Sequence, residues 1–307
     1  MANTNFDRCT SFYLNNGAFL GRIVRLQDVV NTILQKHKYP LAVSGALAES
    51  CALGTLLSSL LKYDGLFTLQ TKSSGPVGML VVDVNSNGKM RACATFDEER
   101  LTKAQHLRKK DGELEEAPHL LGGGYLAFTV DQGDKANLYQ GVVDLQGKTL
   151  SECAMRYFKM SEQVETYLQL FLKAPENENE PWKSAGIVIQ KIPSEGGKKS
   201  FATEEERDKA WEEAVVFAKS LTADEVFDEN LSNEQILHRL YHSSNLAFGT
   251  EKNYEFGCRC SREKLLAVMR SFSPEELDEM AKNNKISAEC NFCSEKYEFE
   301  KGEICAH

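Results

Sequence analysis

The sequence predicts an α+β N-terminal domain with mixed sheets, a helical linker and a small C-terminal domain that contains four closely spaced cysteines. Three observations support this fold class. Short strand-like and helical segments alternate over residues 1–193, short amphipathic helices follow a change in composition over 194–250, and two close cysteine pairs lie within 251–307. A chain of 307 residues is too long for one small domain and can bury a sizeable core.

The first elements of the N-terminal domain are predicted from apolar periodicity and turn residues. Residues 15–26 are predicted to be extended and turned at Gly17 and Gly21. Residues 44–63 are predicted to form a helix, because their apolar side chains recur every three or four positions. Three strands are predicted next, since short segments rich in β-branched or aromatic residues are separated by turn sequences: "GLFTLQTK", "GPVGMLVVDVN" and "KMRACATF".

The rest of this domain continues with both element types. A second strand pair is predicted from "GYLAFTVD" and "LYQGVVDL". A helix is then predicted from "LSECAMRYFKMSEQV", and a closing strand from "SAGIVIQKIP". The domain is therefore expected to end near residue 193.

The linker begins with a flexible segment around Gly196 and continues with three helix starts. Thr203, Thr222 and Ser232 each precede a Glu or Gln by three residues, which is the pattern of a capping box. Two of these helices carry apolar faces, which include Trp211, Val215, Phe217, Leu221, Ile236 and Leu240. From the pattern alone, the simplest interpretation is that these faces dock on the N-terminal domain, because most amphipathic stripes belong to a core.

Composition and charge narrow the function classes. With 42% hydrophobic and 26% charged residues, the chain has the composition of a globular protein. The formal net charge of −9 disfavours nucleic-acid binding, which needs a basic surface. The first residues have no basic stretch followed by an apolar one, so no signal peptide is expected. No apolar run is expected to reach the length of a membrane span. We therefore predict a cytoplasmic protein that binds neither nucleic acid nor membranes.

Four of the nine cysteines stand alone in the sequence. We interpret these four as small core residues, because an isolated cysteine usually packs as a hydrophobic side chain. They are Cys9, Cys51, Cys93 and Cys153. An odd number of cysteines scattered over 307 residues is not the disulfide framework of a secreted domain.

Four of the remaining five cysteines form two close pairs, in "FGCRC" at residues 256–260 and in "CNFC" at residues 290–293. Four such thiols can form a zinc site, two disulfides, or first one and then the other. For a reducing cytosol we predict a tetrahedral four-thiolate zinc site, with Zn–S bonds of about 2.3 Å. Its ligands are Cys258, Cys260, Cys290 and Cys293, and Arg259 is expected to point outward.

Two short helices are predicted between the cysteine pairs, the second capped by Ser273, and short strands are predicted on either side of the second pair. The segment from Phe256 onward is expected to be too small for its own hydrophobic core, so that a metal would hold it together. The sequence thus predicts a small C-terminal four-cysteine zinc-binding domain.

Three interpretations of this zinc site compete. A purely structural site is the simplest. A nucleic-acid module is disfavoured, because residues 251–307 contain nine Lys and Arg against twelve Asp and Glu. In a redox switch, oxidation of the thiolates would remove the zinc ligands, and with them about 10–16 kcal/mol of metal-binding free energy that such small domains depend on. No histidine lies in a recognisable nucleophile motif, and we predict that the protein is not an enzyme.

At these residues the chain resembles the zinc-binding end of heat shock protein 33, the redox-regulated holdase chaperone. The resemblance rests on "CRCSREK", "CNFC" and "KYEF". It continues through nearly the whole chain, in "NNGAFLGRIVRL", "LLKYDGLFTLQTKSSGPVGMLVVDV", "GGGYLAFTVDQG", "YQGVVDLQGKTLSECAMRYFKMSEQ" and "HRLYH".

The resemblance implies a mechanism. One Zn²⁺ per chain would be held by the four cysteines in a reduced, inactive state. Oxidation would form Cys258–Cys260 and Cys290–Cys293 disulfides, release zinc, and unfold the C-terminal domain and the linker. The chain would then dimerise and bind unfolding client proteins without ATP. The candidate client-binding residues are the six apolar linker residues named above.

The alternative is a zinc-stabilised binding protein whose four-cysteine site is purely structural and never switches.

Two further features of the sequence concern the residues around the predicted zinc site. Ser294 follows the second pair where a zinc knuckle often has glycine, which is expected to strain the turn. Cys305 and His307 offer an additional thiol and an additional ligand near the end of the sequence.

Overall fold

The structure is a computed structural model that describes residues 5–108, 120–133, 138–146, 149–177, 179–193 and 201–305, with the side chains of 105–108 and 305 excepted. The Gly196 segment and His307 therefore lie outside the described residues, as does the side chain of Cys305.

The strands within the described residues are β1 (Arg8–Leu14), β2 (Phe19–Leu26), β3 (Leu66–Ser73), β4 (Val77–Asn85), β5 (Lys89–Phe96), β6 (Gly124–Asp131), β7 (Tyr139–Asp144), β8 (Thr166–Lys173), β9 (Lys183–Lys191), β10 (Ala247–Asn253), β11 (Glu255–Phe256), β12 (Lys285–Glu289) and β13 (Lys296–Glu300).

The helices within these ranges are α1 (Asp28–Gln35), α2 (Leu41–Leu60), α3 (Glu98–Arg108), α4 (Leu150–Tyr157), α5 (Glu204–Ser220), α6 (Ala223–Val226), α7 (Asn233–Tyr241), α8 (Arg262–Met269), α9 (Pro274–Met280) and α10 (Lys301–Cys305). A 3₁₀ turn covers Asn15–Gly17, and a π-helical turn covers Phe158–Glu162. The predicted α+β fold is confirmed.

Three sheets organise the described residues. Sheet 1 has the order β10-β1-β2-β9-β8, and its neighbouring strands are all antiparallel. Sheet 2 has the order β11-β5-β4-β3-β6-β7, with β11 added in parallel to an otherwise antiparallel sheet. Sheet 3 is the hairpin of β12 and β13.

Helix α2 is the centre of the main core, because it packs against strands of both large sheets. Sixteen of its twenty residues are buried, and three buried hydroxyls donate to carbonyl oxygens about one turn earlier, as Thr55 does to Cys51 at 2.8 Å. By length and composition it is the one helix among the described residues that is apolar enough to cross a membrane. The expectation that no apolar run reaches that length is therefore wrong, although this helix is buried inside the protein.

Two details near the N-terminus differ from the sequence prediction. Helix α2 begins at Leu41, directly after Pro40, and ends at Leu60 rather than at residue 63, because Leu61 is already extended. Gly21 does not turn the chain but lies within β2, opposite Phe12 of β1. A Cβ atom there would lie 2.1 Å from the Phe12 ring, so the glycine makes room for a buried aromatic side chain.

The linker helices cover the face of sheet 1 that is opposite to α2. Thr203, Thr222 and Ser232 cap α5, α6 and α7 as predicted, the last two with complete capping boxes. The second hydrophobic core lies between these helices and sheet 1. Within it, Tyr241 stacks on Phe12 with ring centroids 5.7 Å apart and donates a hydrogen bond to an α5 carbonyl oxygen at 3.1 Å. The predicted docking of these apolar faces is what the structure shows.

Sheet 1 also includes the segment that leads to the cysteines. Strand β10 pairs with β1, and β11 then pairs with β5 of sheet 2, so the chain crosses from one large sheet to the other just before Cys258. Beyond it, residues 258–305 form a compact unit, here called the metal module. The module has a small hydrophobic core of its own, formed by Leu277, Ile286, Ala288, Phe299 and Ile304. The expectation that this end is too small for any core is therefore wrong.

Candidate metal centre

Four cysteines meet at the edge of the metal module. Cys258 and Cys260 lie between β11 and α8, and Ser261 caps that helix by accepting a hydrogen bond from the Lys264 N–H. Cys290 and Cys293 lie in the turn that joins β12 to β13. The two intervening helices fold back between the pairs, as predicted, and bring them together.

The turn around the second pair is closed by backbone hydrogen bonds. The Cys290 N–H donates to the Glu295 carbonyl oxygen at 2.9 Å, and the Ser294 N–H donates to the Cys290 carbonyl oxygen at 2.8 Å. Ser294 has a φ of 56°, in the left-handed region where glycine is favoured. Ser294 therefore adopts a backbone conformation in which a residue with a side chain is strained, in agreement with the sequence prediction.

The distances between the sulfurs suit a tetrahedral metal ion. All four Sγ atoms lie within 4.8 Å of one another, with Cys258 to Cys290 at 3.7 Å and Cys260 to Cys293 at 3.4 Å. Thiolates about 2.3 Å from a common metal lie about 3.8 Å apart at the corners of a tetrahedron. Cys290 is buried and the other three are half-buried, so the donor set is enclosed but can be reached from solvent.

The charge of the cluster also favours a cation. Burial raises the pKa of the Cys258 thiol, but hydrogen bonds from the Cys260 N–H and from neighbouring groups, Arg91 among them, outweigh it and lower the pKa to about 7. The pKa of Cys293 is raised, mainly by burial and further by hydrogen bonds to the other three thiols. Burial also raises the pKa of Cys260. One thiolate thus suppresses ionisation of its neighbours, and a divalent cation would relieve this repulsion and allow four thiolates to bind.

A buried carboxylate of sheet 2 connects the metal module to the N-terminal domain. Asp83 Oδ2 accepts hydrogen bonds from Arg91 Nε at 2.8 Å and from Arg259 Nη2 at 3.1 Å, and Thr68 donates to its Oδ1 at 2.7 Å. Arg259 therefore does not simply point outward: 41% of its side chain is exposed, but its end reaches into sheet 2. Because Arg259 lies between two of the cysteines, this contact links the first cysteine pair directly to sheet 2.

Arg91 completes this connection. Its guanidinium lies 3.8 Å from the centroid of the Phe292 ring, and its Nη1 lies 3.8 Å from Cys258 Sγ. Arg91 thus contacts a cysteine of the first pair and the residue between the cysteines of the second pair. We call Asp83, Arg91 and Arg259 the arginine clamp.

A second set of contacts lies beside the clamp. His37 stacks on Tyr39 and forms hydrogen bonds with the Phe292 carbonyl oxygen and the Ser294 hydroxyl, both at 3.3 Å. Burial lowers the pKa of His37, which favours its neutral form. On the module side, Tyr297 lies with its hydroxyl 3.5 Å from Cys260 Sγ.

Sequence reasoning missed Asp83, Arg91, His37 and Tyr297. Asp83 and Arg91 are direct partners in the β4–β5 register, so a hairpin prediction could have paired them. Nothing in the sequence indicates that a module more than 160 residues later docks on that pair.

The six candidate client-binding residues are covered in this structure. Leu221 and Ile236 are each 2% exposed, and Trp211, Val215, Phe217 and Leu240 are half-buried against the same core. The four isolated cysteines are buried and form no disulfide among the described residues, in agreement with their interpretation as core residues.

Comparison with known proteins identifies the family. The model of the Hsp33 protein family matches residues 7–300. This chain belongs to the Hsp33 family. Its relatives include the 33 kDa chaperonin of Caulobacter vibrioides (strain NA1000 / CB15N), which is 34% identical over 296 residues and is matched over 96% of this chain and 95% of its own length. The 33 kDa chaperonin of Pseudomonas syringae pv. syringae (strain B728a) is 34% identical over 302 residues, with 98% and 93% covered.

The fold agrees with a solved structure of the same family. The 33 kDa chaperonin (heat shock protein 33 homolog) of Thermotoga maritima superposes with a TM-score of 0.79 and covers 97% of this chain and 96% of its own. At 19% sequence identity, this likeness shows the Hsp33 fold alone. The predicted family is confirmed, and the four clustered cysteines fit a metal-binding Hsp33 chaperone.

Proposed function

We propose that this chain is a redox-regulated, ATP-independent holdase of the cytoplasm, which binds unfolding or oxidatively damaged proteins and prevents their aggregation. The observation that carries the proposal is the convergence of four cysteine sulfurs within 4.8 Å of one another, at a site clamped to the N-terminal domain. We assign one Zn²⁺ to these sulfurs, because soft thiolates in a tetrahedral set favour zinc. Bound zinc would hold the two pairs together and keep the thiols reduced. We assign the chain no enzymatic activity and no nucleic-acid or membrane partner.

The proposed switch is the oxidation of thiolates by peroxide. A thiolate attacks one peroxide oxygen, the O–O bond breaks, and a sulfenic acid forms with loss of hydroxide. A second thiolate displaces the sulfenic hydroxyl group as hydroxide, which leaves water after protonation and forms the S–S bond. Two peroxide molecules thus oxidise four thiolates to two disulfides, and Zn²⁺ leaves because its ligands are gone.

The pairing is part of the proposal, since the close sulfur contacts at 3.7 and 3.4 Å join members of different pairs. We propose Cys258–Cys260 and Cys290–Cys293. Once the first disulfide forms and the metal leaves, only the short loops inside each pair keep two sulfurs close, and short loops close at the least entropic cost.

Loss of the metal would then reach the linker. In this proposal the small core of the metal module does not stay folded without the metal, and its loosening would free Arg259 and Phe292 from the arginine clamp. The backbone bonds from β11 and β10 to the large sheets would follow, because they lead directly into Cys258. We therefore treat residues 1–193 as the stable domain, 194–250 as the linker and 251–307 as the redox-switch domain.

The client-binding surface in this proposal is the covered face of the linker helices. Two of its six candidate residues are buried and the other four are half-buried, so most of this apolar surface is packed against sheet 1 in the structure. When the linker loosens, this face and the face of sheet 1 beneath it would be uncovered together. A large exposed apolar patch binds unfolded proteins and also favours homodimers.

Peroxide titration of the reduced, zinc-loaded chain under mild heat tests the switch. Zinc release is followed with a colorimetric chelator, and disulfides are mapped by mass spectrometry after free thiols are alkylated. We expect one zinc released for two disulfides, each within its own pair. Zinc that stays bound while client binding is constant would instead identify a purely structural four-cysteine site.

A further inference from the structure

A polar cavity of about 130 Å³ lies where the end of α2 meets β1, β2 and β10. It shares no residue with the four-cysteine site. One water molecule needs about 10–15 Å³ of such space, so the cavity can hold a tetrahedral oxyanion. Its lining is rich in hydroxyl groups, among them Ser11, Ser58 and Thr250.

Two cationic side chains line this cavity, those of Arg22 and Lys252, and no carboxylate does. Arg22 uses Nε and Nη1 for the carbonyl oxygens of Ser59 and Gly21, which leaves Nη2 without a partner in the described part of the chain. Lys252 is half-buried, has no ion pair among the described residues, and lies 5.4 Å from the Tyr254 ring. Burial lowers the pKa of Lys252, as expected for an ammonium group that lacks a counter-ion.

The carboxylates nearby are directed elsewhere. Glu251 precedes Lys252 on β10 and therefore lies on the other face, where it pairs with Arg8 at 2.9 Å. Asp64 is exposed and does not line the cavity, but it accepts a hydrogen bond at 3.0 Å from Ser86, which does. The cavity therefore has an excess of positive charge.

A buried phenol adds a third donor. Tyr254 is only 4% exposed, and its Oη has no hydrogen-bond partner of normal geometry within the described residues. The Ser58 hydroxyl beside it donates instead to the Thr55 carbonyl oxygen at 2.9 Å. Burial raises the pKa of Tyr254, so the phenol stays protonated and available as a donor. A buried hydroxyl without a partner is costly, and a ligand that accepts its proton would remove that cost.

We propose that this cavity is a binding site for a small phosphate-class oxyanion, held by the Arg22 guanidinium, the Lys252 ammonium group and the Tyr254 hydroxyl. The two cations neutralise a dianion, and the phenol donates to a further oxygen. The bound anion joins β2 of the stable domain to the segment just before Cys258, and so fastens β10 to sheet 1. The site goes beyond the proposed redox function and does not depend on it.

Isothermal titration calorimetry of the reduced, full-length chain tests the site, with inorganic phosphate as the probe and ionic strength held constant with chloride. A charge-assisted hydrogen bond contributes enough that Lys252→Gln should weaken binding about tenfold or more. Tyr254→Phe should weaken binding severalfold while leaving the thermal midpoint in phosphate-free buffer unchanged or higher, because only an unpaired hydroxyl is lost. If the Tyr254 side chain had a purely structural role, its replacement would instead lower the thermal midpoint and leave the phosphate affinity unchanged.

Matched variants control for charge. Lys62→Gln removes the same charge from an exposed neighbouring side chain and should leave the phosphate affinity unchanged, whereas Asp64→Asn should increase it. A parallel titration with glycerol 3-phosphate distinguishes the free ion from a phosphate ester, and binding of either one supports the site. Any one of three results would overturn the proposal. The wild-type chain could bind neither probe, Lys62→Gln could weaken binding as much as Lys252→Gln does, or Tyr254→Phe could bind phosphate with full affinity.

Discussion

Replacing Arg259 by Ala should loosen the attachment of the metal module while leaving its metal site intact. Arg259 Nη2 lies 3.1 Å from Asp83 Oδ2, and the Asp83 side chain is only 6% exposed. In the variant Asp83 keeps its bonds to Arg91 and Thr68, so no buried charge is left without a partner. The perturbation therefore removes one contact between the module and sheet 2.

The size of the effect follows from the burial of the two partners. Unit charges at this separation attract by about 5 kcal/mol at an effective dielectric constant of about 20. Much of that is lost, because Arg259 is 41% exposed and must immobilise a long side chain, and exposed pairs contribute about 0.2–1 kcal/mol. With one partner buried, we expect about 1 kcal/mol, which is about a fivefold change in the docking equilibrium.

Hydrogen exchange of reduced, zinc-loaded protein measures this change. The Glu255 N–H donates to the Gly88 carbonyl oxygen at 3.1 Å, and the Gly257 N–H donates to that of Met90 at 2.8 Å, so these amides report docking directly. We expect them to exchange about fivefold faster in Arg259→Ala, with zinc affinity unchanged.

Two comparisons make this prediction specific. Lys296→Ala removes an equal charge from a side chain that is 71% exposed and, among the described residues, pairs with Glu289 of the same hairpin; it should have no effect on these amides. In a double-mutant cycle, an Asp83→Asn background should abolish most of the effect of Arg259→Ala. Unchanged exchange in Arg259→Ala, or equal acceleration in Lys296→Ala, would refute the clamp.

Three further predictions concern the metal, the linker and the buried thiols. Replacing Cys290 and Cys293 by Ser should abolish stoichiometric zinc binding, measured by metal analysis after dialysis; a variant that still binds one zinc tightly would contradict the four-thiolate site. Ile236→Ala should destabilise the docked linker by about 2–5 kcal/mol and lower the peroxide dose needed for client binding, whereas Val216→Ala, at a side chain that is 61% exposed, should do neither. Burial raises the pKa of the Cys51 thiol from 9.0 to about 12. Its stabilising contribution is therefore present below about pH 9 and is lost as the pH rises toward 12, at about 1.4 kcal/mol per pH unit. Urea unfolding should show a steeper loss over this range in wild type than in Cys51→Ala, and equal slopes would contradict the assignment.

Local patterns predicted much of the fold, because they depend on residues close in sequence. The capping residues Thr203, Thr222 and Ser232 and the hairpin strands β3–β5 all follow from short-range chemistry. The four cysteines could likewise be assigned to one site, because paired thiols at close spacing have few other uses in a reducing compartment.

Strand β10, one of the elements that sequence reasoning missed, depends on a distant partner. Strand β10 is mostly polar and exposed, so it has no alternating apolar pattern, and it is a strand because β1 offers it an edge about 240 residues away. Arg91 illustrates the same limit at the site. Its sequence neighbours indicate an ordinary strand, and only the tertiary fold places Phe292 and Cys258 against it.

Light scattering from a thermally unfolding client protein tests most directly whether oxidation of the four-cysteine site turns on client binding. The client is heated with this protein kept reduced and zinc-loaded, with protein treated with peroxide under mild heat, and with treated protein that has been reduced again in the presence of zinc. We expect only the oxidised sample to suppress scattering, and the rereduced sample to lose that activity. Equal suppression by all three samples, or suppression by none, would contradict a redox-controlled chaperone.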